Sequence, residues 1–107
     1  MEEEIQKYFE GKMQLDLGIP TPEYFAEKLH FSTNYLSDML KKQTGKSTKD
    51  HIDEHILEIA KTEVDGTEKN INEVAYDLGF NYPHYFSRLF KKKTGMSPNE
   101  YRGQFLN

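Results

Sequence analysis

The chain contains no cysteine and no tryptophan. Without cysteine it can form neither a disulfide nor a thiolate metal site, and this composition fits a reducing compartment. No apolar run approaches the roughly 18 residues that a membrane-spanning helix requires. The residues that follow Met1 are acidic, whereas a secretion signal begins with basic residues and continues with an apolar stretch. We therefore expect a cytoplasmic protein with no membrane partner.

Catalytic signatures are also scarce. A chain of 107 residues buries only about two-thirds of its unfolded surface, which leaves little room for a large substrate cavity. Residues 51–55 match the H-x-x-E-H pattern of some zinc peptidases, but a zinc site needs a third ligand and a shaped cleft. We interpret this segment as part of an acidic helix with two ordinary histidines. We predict no enzymatic activity, no metal and no cofactor.

The net charge of −4 would argue against a nucleic-acid partner if it were evenly spread. The charge is instead divided into alternating blocks. Residues 1–27 carry −5 and residues 50–78 carry −7, whereas residues 28–49 and residues 79–107 carry +4 each. A ligand responds to the field of the surface that it approaches, so the blocks matter more than the total.

The two positive blocks overlap two similar copies of one sequence. Residues 85–102 are YFSRLFKKKTGMSPNEYR, and residues 35–52 are YLSDMLKKQTGKSTKDHI. Upstream of these segments the offset falls by one residue, so that Ala26 matches Ala75. Such a repeat indicates one structural unit that is used twice and has a flexible joint.

Helix start and stop signals divide the chain into helices. Thr21 and Ser97 are each an N-cap residue followed by proline, and Ser97 also forms a capping-box pattern with Glu100. Gly45 and Gly95 stand where a helix would end in a left-handed residue. No segment alternates convincingly with period two, which argues against strands. We predict an all-α fold of about seven helices at residues 2–12, 22–29, 33–44, 48–64, 71–78, 83–94 and 98–105.

We expect these helices to form two helix-turn-helix subdomains joined by a long connecting helix. The predicted parts are an N-terminal helix and linker at 1–20, a first helix-turn-helix at 21–47, a connecting helix at 48–66, and a second helix-turn-helix with a C-terminal helix at 67–107. In each unit a helix of about eight residues precedes a turn and a helix of about twelve.

The second helix of each unit is amphipathic. Its predicted apolar back consists of Tyr35, Leu36, Met39 and Leu40 in the first unit, and of Tyr85, Phe86, Leu89 and Phe90 in the second. We expect Phe31 and Phe80 to pack beneath the turns. A helix with donors on its free face can enter the major groove and read base edges, while lysines reach phosphates. The predicted DNA-contacting residues are Asn34, Ser37, Asp38, Lys41, Lys42, His84, Ser87, Arg88, Lys91 and Lys92.

The stretch from residue 71 to residue 102 resembles the DNA-binding domain of the AraC/XylS family of bacterial transcription regulators. The matching residues are Ala75, Gly79, Phe80, Tyr85, Phe86, Ser87, Arg88, Phe90, Lys91, Thr94, Gly95, Ser97, Pro98, Tyr101 and Arg102. The resemblance covers roughly residues 5–105. It implies two subdomains that bind adjacent major grooves of double-stranded DNA, and RNA polymerase as a further partner. Such regulators usually carry a separate sensing or dimerisation domain. We expect a C-terminal fragment, favoured by the acidic and unmatched start, or else a short stand-alone member.

The chain departs from the family pattern at several positions. The family's base-reading positions fall on Asn34, Ser37 and Asp38 in the first unit, and on Pro83, His84, Ser87 and Arg88 in the second. Asp38 stands where several relatives have a basic residue, so the first unit either binds weakly or accepts a hydrogen bond from cytosine N4. His30 replaces a turn glycine that the second unit keeps as Gly79, and Ile56 stands where the connecting helix usually has arginine.

Two interpretations remain open alongside these. Arg88 is predicted to bind guanine through two hydrogen bonds, with a surface salt bridge as the alternative, whereas Arg102 is expected to be structural. The protein could also be a helical protein-interaction module that has lost DNA binding, which the negative net charge and Asp38 favour. That alternative predicts an exposed apolar patch and no salt-linked affinity for DNA.

Overall fold

The computed structural model describes residues 1–104, and this part of the chain forms eight α-helices and no strand. The helices are α1 (Glu2–Glu10), α2 (Met13–Leu17), α3 (Pro22–Lys28), α4 (Thr33–Thr44), α5 (Thr48–Gly66), α6 (Ile71–Leu78), α7 (Pro83–Thr94) and α8 (Pro98–Gly103). The all-α prediction is confirmed. The predicted end of the last helix at residue 105 lies outside the described residues. Within them, no helix combines the length and the apolar character that crossing a membrane would require.

Helix α5 connects the two units. It packs against α1 and α4, which precede it in the chain, and against α6 and α8, which follow it. Ile52, Ile56, Ala60 and Val64 follow one another at intervals of four residues and are all buried. Residues at this spacing share one helix face. Ile56 is fully buried, so the connecting helix uses apolar packing at the position where the family pattern has arginine.

The predicted linker contains a helix. Residues 13–20 include α2, which packs against α6, and Gln14 Nε2 donates a hydrogen bond to the carbonyl of Asp77 at 3.2 Å. The sequence gives no periodic signal for α2, because a five-residue helix with no buried residue has no apolar stripe. Its exposed apolar side chains are Met13, Leu15 and Leu17.

Two helices begin with a complete capping box. The predicted box at α8 is present, since Ser97 Oγ accepts from Glu100 N at 3.1 Å and Glu100 Oε1 accepts from Ser97 N at 3.2 Å. A second box at α5 joins Ser47 and Asp50 in the same way. The N–H of Ser47 lowers the pKa of the Asp50 carboxyl. The second box was not predicted, because aspartate rather than glutamate or glutamine occupies its third helical position.

Arg102 links the last helix to the end of the connecting helix through hydrogen bonds. Its Nε donates to the carbonyl of Val64 at 2.8 Å, and its Nη2 lies 3.4 Å from the carbonyl of Thr67. These carbonyls lie at the end of α5, where backbone acceptors have no partner within the helix. The contacts agree with the structural role that the sequence predicted for Arg102.

Candidate DNA-binding surface

Helices α4 and α7 are held in the core in the same way. Leu36 and Leu40 are buried in α4, and Phe86 and Phe90 are buried at the equivalent positions of α7. Each residue from 31 to 40 falls in the same class, whether buried, half-buried or exposed, as the residue fifty positions later. Both helices therefore press a narrow apolar stripe against the core and leave the opposite side uncovered.

All ten predicted contact residues lie on the uncovered side of these two helices. Ser37 and Ser87 are half-buried, and the others are exposed: Asn34, Asp38, Lys41, Lys42, His84, Arg88, Lys91 and Lys92. Residues three, four and seven positions apart share a helix face, so each set forms a continuous strip, and we call these the two reading strips. Pro83 is half-buried as the first residue of α7. Whether the reading strips contact DNA stays a prediction.

The cations of the reading strips make no ion pairs with the residues that the structure describes. Within residues 1–104, no carboxylate lies within 4.0 Å of Lys41, Lys42, Arg88, Lys91 or Lys92. The surface salt bridge that was the alternative interpretation of Arg88 is thus not formed there. Most lysines elsewhere are paired, and the shortest pairs are Lys46–Glu54 at 2.6 Å, Lys49–Asp53 at 2.7 Å and Lys69–Asp77 at 3.0 Å. Such pairing raises the pKa of Lys46 and of Lys69.

The turns that precede α4 and α7 each contain a left-handed residue at the equivalent position. His30 in the first turn has a φ of 62°, and Gly79 in the second has a φ of 104°. The phenylalanine that follows donates its N–H to the carbonyl of the helix alanine, at 2.8 Å in the first unit and 3.0 Å in the second. His30 therefore takes the place of the turn glycine in a left-handed conformation that costs a residue with a Cβ about 1–2 kcal/mol.

Three aromatic residues differ from the prediction. Tyr35 and Tyr85, which were assigned to the apolar back, are 57% and 51% exposed. Phe31 is also exposed, and its ring contacts that of Tyr35 at a centroid distance of 5.1 Å. Phe80 does pack inward as predicted, at 5.5 Å from Phe86. Periodicity alone misassigned the tyrosines, because they lie at the edge of the buried stripe, where small differences in helix rotation decide exposure.

The start of α7 carries an exposed aromatic cluster around a predicted contact residue. The ring of His84 lies 4.2 Å from that of Tyr85 and 6.0 Å from that of Tyr82. The two tyrosine rings meet edge to face at 5.9 Å. This packing restricts the directions in which the imidazole of His84 can point.

The histidines of α5 take part in packing and hydrogen bonding. His51 is 8% exposed, and its Nδ1 lies 2.8 Å from Glu2 Oε1 while its Nε2 lies 2.9 Å from Thr44 Oγ1. His55 stacks on Phe9 at 5.5 Å, and its burial lowers its pKa. In the described part of the chain, no group of three or more histidine, cysteine, aspartate or glutamate side chains is arranged to hold a metal ion.

The sequence and the fold of this chain are similar to those of known proteins. A family model described as a helix-turn-helix domain matches residues 25–104. The uncharacterised HTH-type transcriptional regulator YijO of Escherichia coli strain K12 is 39% identical over 85 residues, which are 79% of this chain and 30% of that protein. The C-terminal domain of AraT, a response regulator from Geobacillus stearothermophilus, has a TM-score of 0.82 at 40% identity over 96% of this chain and 80% of that one.

A third comparison concerns the fold alone. The DNA-binding domain of AdpA, a global transcriptional factor whose structure was solved in complex with a target DNA, has a TM-score of 0.79 at 19% identity. The match covers 97% of this chain and 91% of that one. Helices α1 to α8 therefore have the architecture of a double helix-turn-helix domain.

Two helix-turn-helix units with exposed second helices define a DNA-binding module of a transcription regulator. The chain belongs to the AraC-type helix-turn-helix family of transcription regulators, so the resemblance found in the sequence is confirmed. This family is not a class of enzymes. The chain spans about 30% of the length of YijO.

Proposed function

We propose that this chain recognises two adjacent major-groove segments of double-stranded DNA, with α7 in one segment and α4 in the other. The observation that carries the proposal is the contrast in charge pairing. Within residues 1–104, the lysines and the arginine of the reading strips form no ion pair, whereas most lysines elsewhere are paired with carboxylates. Unpaired cations can neutralise phosphates and release counterions, which is the main source of DNA affinity.

In the second unit we assign base reading to the first half of α7 and phosphate binding to its end. Arg88 presents a guanidinium that matches O6 and N7 of guanine. His84 and Ser87 lie four and one residues before it on the same strip and offer further donors and acceptors. Lys91 and Lys92 lie in the last turn, where they reach the phosphates at the groove wall.

In the first unit the same positions carry different chemistry. Asn34 suits adenine, because its amide matches N6 and N7 of that base, and Asp38 suits cytosine, because a carboxylate accepts from N4. Ser37 can donate to or accept from either type of base edge. Lys41 and Lys42 repeat the phosphate-binding pair of the second unit. The two units therefore read different base pairs while holding the backbone in the same way.

We further propose that the module acts in the bacterial cytoplasm, where it works with RNA polymerase and with an additional sensing or dimerisation domain. The additional domain is supported by the length of YijO, of which this chain spans about 30%, and by the similarity to the C-terminal domain of AraT. RNA polymerase is supported by the membership in a family of transcription regulators.

The test is selection of bound duplexes from a random pool at near-physiological salt. We expect a bipartite site with two short conserved blocks about one helical turn apart, since successive major grooves on one face of DNA are about 34 Å apart. A single block would mean that only one unit reads bases. No enrichment, together with no binding at low salt, would refute the proposal.

Two variants separate base reading from phosphate binding. Arg88→Ala should weaken binding to the selected duplex by about 1–3 kcal/mol and relax the preference at one base pair. Lys92→Ala should weaken binding to all duplexes alike and reduce the slope of log affinity against log salt by about one unit. Lys61→Ala is the matched control, because Lys61 pairs with Glu58 on the connecting helix. Wild-type affinity of Arg88→Ala for every duplex would show that the assigned role is wrong.

A second candidate function has one observation in its favour. The protein-interaction alternative predicts an exposed apolar patch, and α2 exposes Met13, Leu15 and Leu17 to solvent. This surface could contact another protein or the additional domain of a longer regulator. The duplex selection decides between the two, because an interaction module without DNA affinity would enrich no site at any salt concentration.

A further inference from the structure

Tyr35 and Tyr85 are both largely exposed, so packing in the core does not explain why each unit has a tyrosine at this position. They occupy equivalent positions of α4 and α7, and about half of each side chain is in contact with solvent. A large aromatic side chain that is exposed in both copies of a repeat does little for the core, since its neighbours Leu36 and Phe86 are already fully enclosed. Exposed tyrosines are instead suited to interfaces, where one end of the side chain is apolar and the other is polar.

Each tyrosine shares one edge of its helix with a lysine of the reading strip. Tyr35 precedes Lys42 by seven residues, and Tyr85 precedes Lys92 by seven. Seven residues are almost two turns of an α-helix, so each tyrosine and its lysine lie on one line along the helix. We call these lines the two Tyr–Lys edges. They form the border of the reading strips, because Lys42 and Lys92 belong to the strips, whereas Asn34 and His84 lie one residue, or about 100°, away from the tyrosines.

The two rings are held in place by neighbours that are themselves aromatic. Tyr35 contacts Phe31 at 5.1 Å, and Tyr85 contacts His84 at 4.2 Å and Tyr82 at 5.9 Å. Restricting a side chain before binding reduces the entropy that is lost on binding. Tyrosine also has only two side-chain torsions to fix, so little conformational entropy is lost when it forms a contact.

Tyr85 also lies at the boundary between the two units. It lines a cavity of about 350 Å³ together with Pro22 of α3, Ile56 of the connecting helix and Leu89 of α7. The Tyr–Lys edge of α7 therefore borders the space between the units. When a protein reads two successive major grooves from one side of DNA, the sugar-phosphate backbones that separate those grooves pass between its two reading elements.

From this geometry we infer that Tyr35 and Tyr85 bind the DNA backbone. Each phenol hydroxyl donates a hydrogen bond to a phosphate oxygen at the groove wall, the ring lies against the adjoining sugar, and the lysine two turns later neutralises a phosphate of the same strand. Tyrosine is among the side chains that contact phosphates in protein–DNA complexes. This inference rests on the proposed function, and it adds a pair of positioning residues that carry no base preference.

The test compares Tyr35→Phe and Tyr85→Phe with the wild type on two duplexes, the one selected from the random pool and one of unrelated sequence. Phenylalanine keeps the ring and removes only the hydroxyl. We expect each variant to bind both duplexes about fivefold more weakly, as the loss of one net hydrogen bond implies. Because the hydroxyl is neutral, the slope against salt should not change, whereas Lys92→Ala lowers it by about one unit.

Tyr76→Phe is the matched control, because Tyr76 is 54% exposed on α6 and lines a different cavity beside α2. It should bind both duplexes as the wild type does, and all three variants should keep the wild-type melting temperature. Unchanged affinity of Tyr35→Phe and Tyr85→Phe would overturn the inference while leaving DNA recognition intact. A loss confined to the selected duplex would also overturn it, since the hydroxyls would then read bases. Absence of any wild-type binding would refute the proposed function itself.

Discussion

The fit of the second turn against the N-terminal segment can be tested by replacing Gly79 with alanine. Gly79 is left-handed, with a φ of 104° and a ψ of 5°, and its φ lies beyond the +50° to +70° range in which other residues adopt this conformation. A Cβ at this position would lie 3.0 Å from Gln14 Cβ and 3.0 Å from the carbonyl carbon of Gly18. Gly18 contributes backbone, so it cannot move aside as the end of a flexible side chain would.

The expected magnitude follows from three contributions. The left-handed conformation costs about 1–2 kcal/mol, and forcing an extra carbon into a packed contact costs about 1–3 kcal/mol. The smaller entropy of the unfolded alanine chain offsets about 0.4–1 kcal/mol. We therefore expect Gly79→Ala to lower the free energy of unfolding by about 2–4 kcal/mol, measured by urea denaturation followed by circular dichroism.

The chain offers a matched control for the contact. Gly45 has a φ of 80°, and a Cβ built there would meet no atom within 4 Å. Gly45→Ala should therefore show only the conformational cost and lower the free energy of unfolding by about 1 kcal/mol. If Gly79→Ala lost no more stability than Gly45→Ala, the reasoning would be refuted, because the second turn would not be tightly packed against Gln14 and Gly18.

Three further changes test other contacts. Arg102→Lys keeps the charge but loses the planar group that reaches two carbonyls at the end of α5. This substitution should lower the free energy of unfolding by about 1–3 kcal/mol. An unchanged urea midpoint would contradict this expectation. Because burial lowers the pKa of His55, the unfolded state binds more protons just below about pH 6.5. Wild-type stability should therefore fall as the pH drops through that window, and melting curves of His55→Leu should lack this decline. The hydrogen bond from Ser47 lowers the pKa of Asp50, so its contribution is complete above about pH 4 and is lost at lower pH; Asp50→Asn should remove that dependence, and a wild-type acid profile in the variant would rule it out.

Much of the fold could be predicted because local signals agreed with one another. Thr21 and Ser97 combined caps with proline, Gly45 and Gly95 supplied left-handed ends, and the helices begin where these signals placed them. Helix α2 could not be predicted in this way, because it buries no residue. It is held by contacts with a distant part of the chain, such as the hydrogen bond from Gln14, and no local pattern reports those.

The candidate site was predictable in part for the same reason. The sequence repeat identified the two reading strips, and helical periodicity placed Arg88 and Lys92 opposite Phe86 and Phe90, as the structure has them. It could not decide the exposure of Tyr85, which depends on how far α7 is rotated against the core. It also could not show which cations are unpaired, since ion pairs such as Lys69–Asp77 join different helices or loops.

The separation of charge described above affects how the module would search for its site. Helix α7 carries no acidic residue and α4 carries only Asp38, although the chain as a whole has a charge of −4. At physiological ionic strength the Debye length is about 8 Å, so acidic groups farther from the DNA are largely screened. The reading strips would then act almost alone at contact, while the distant field stays weak or repulsive. Such a protein is drawn to DNA over a short range and mainly in one orientation, which limits the time that it spends on unrelated sequence.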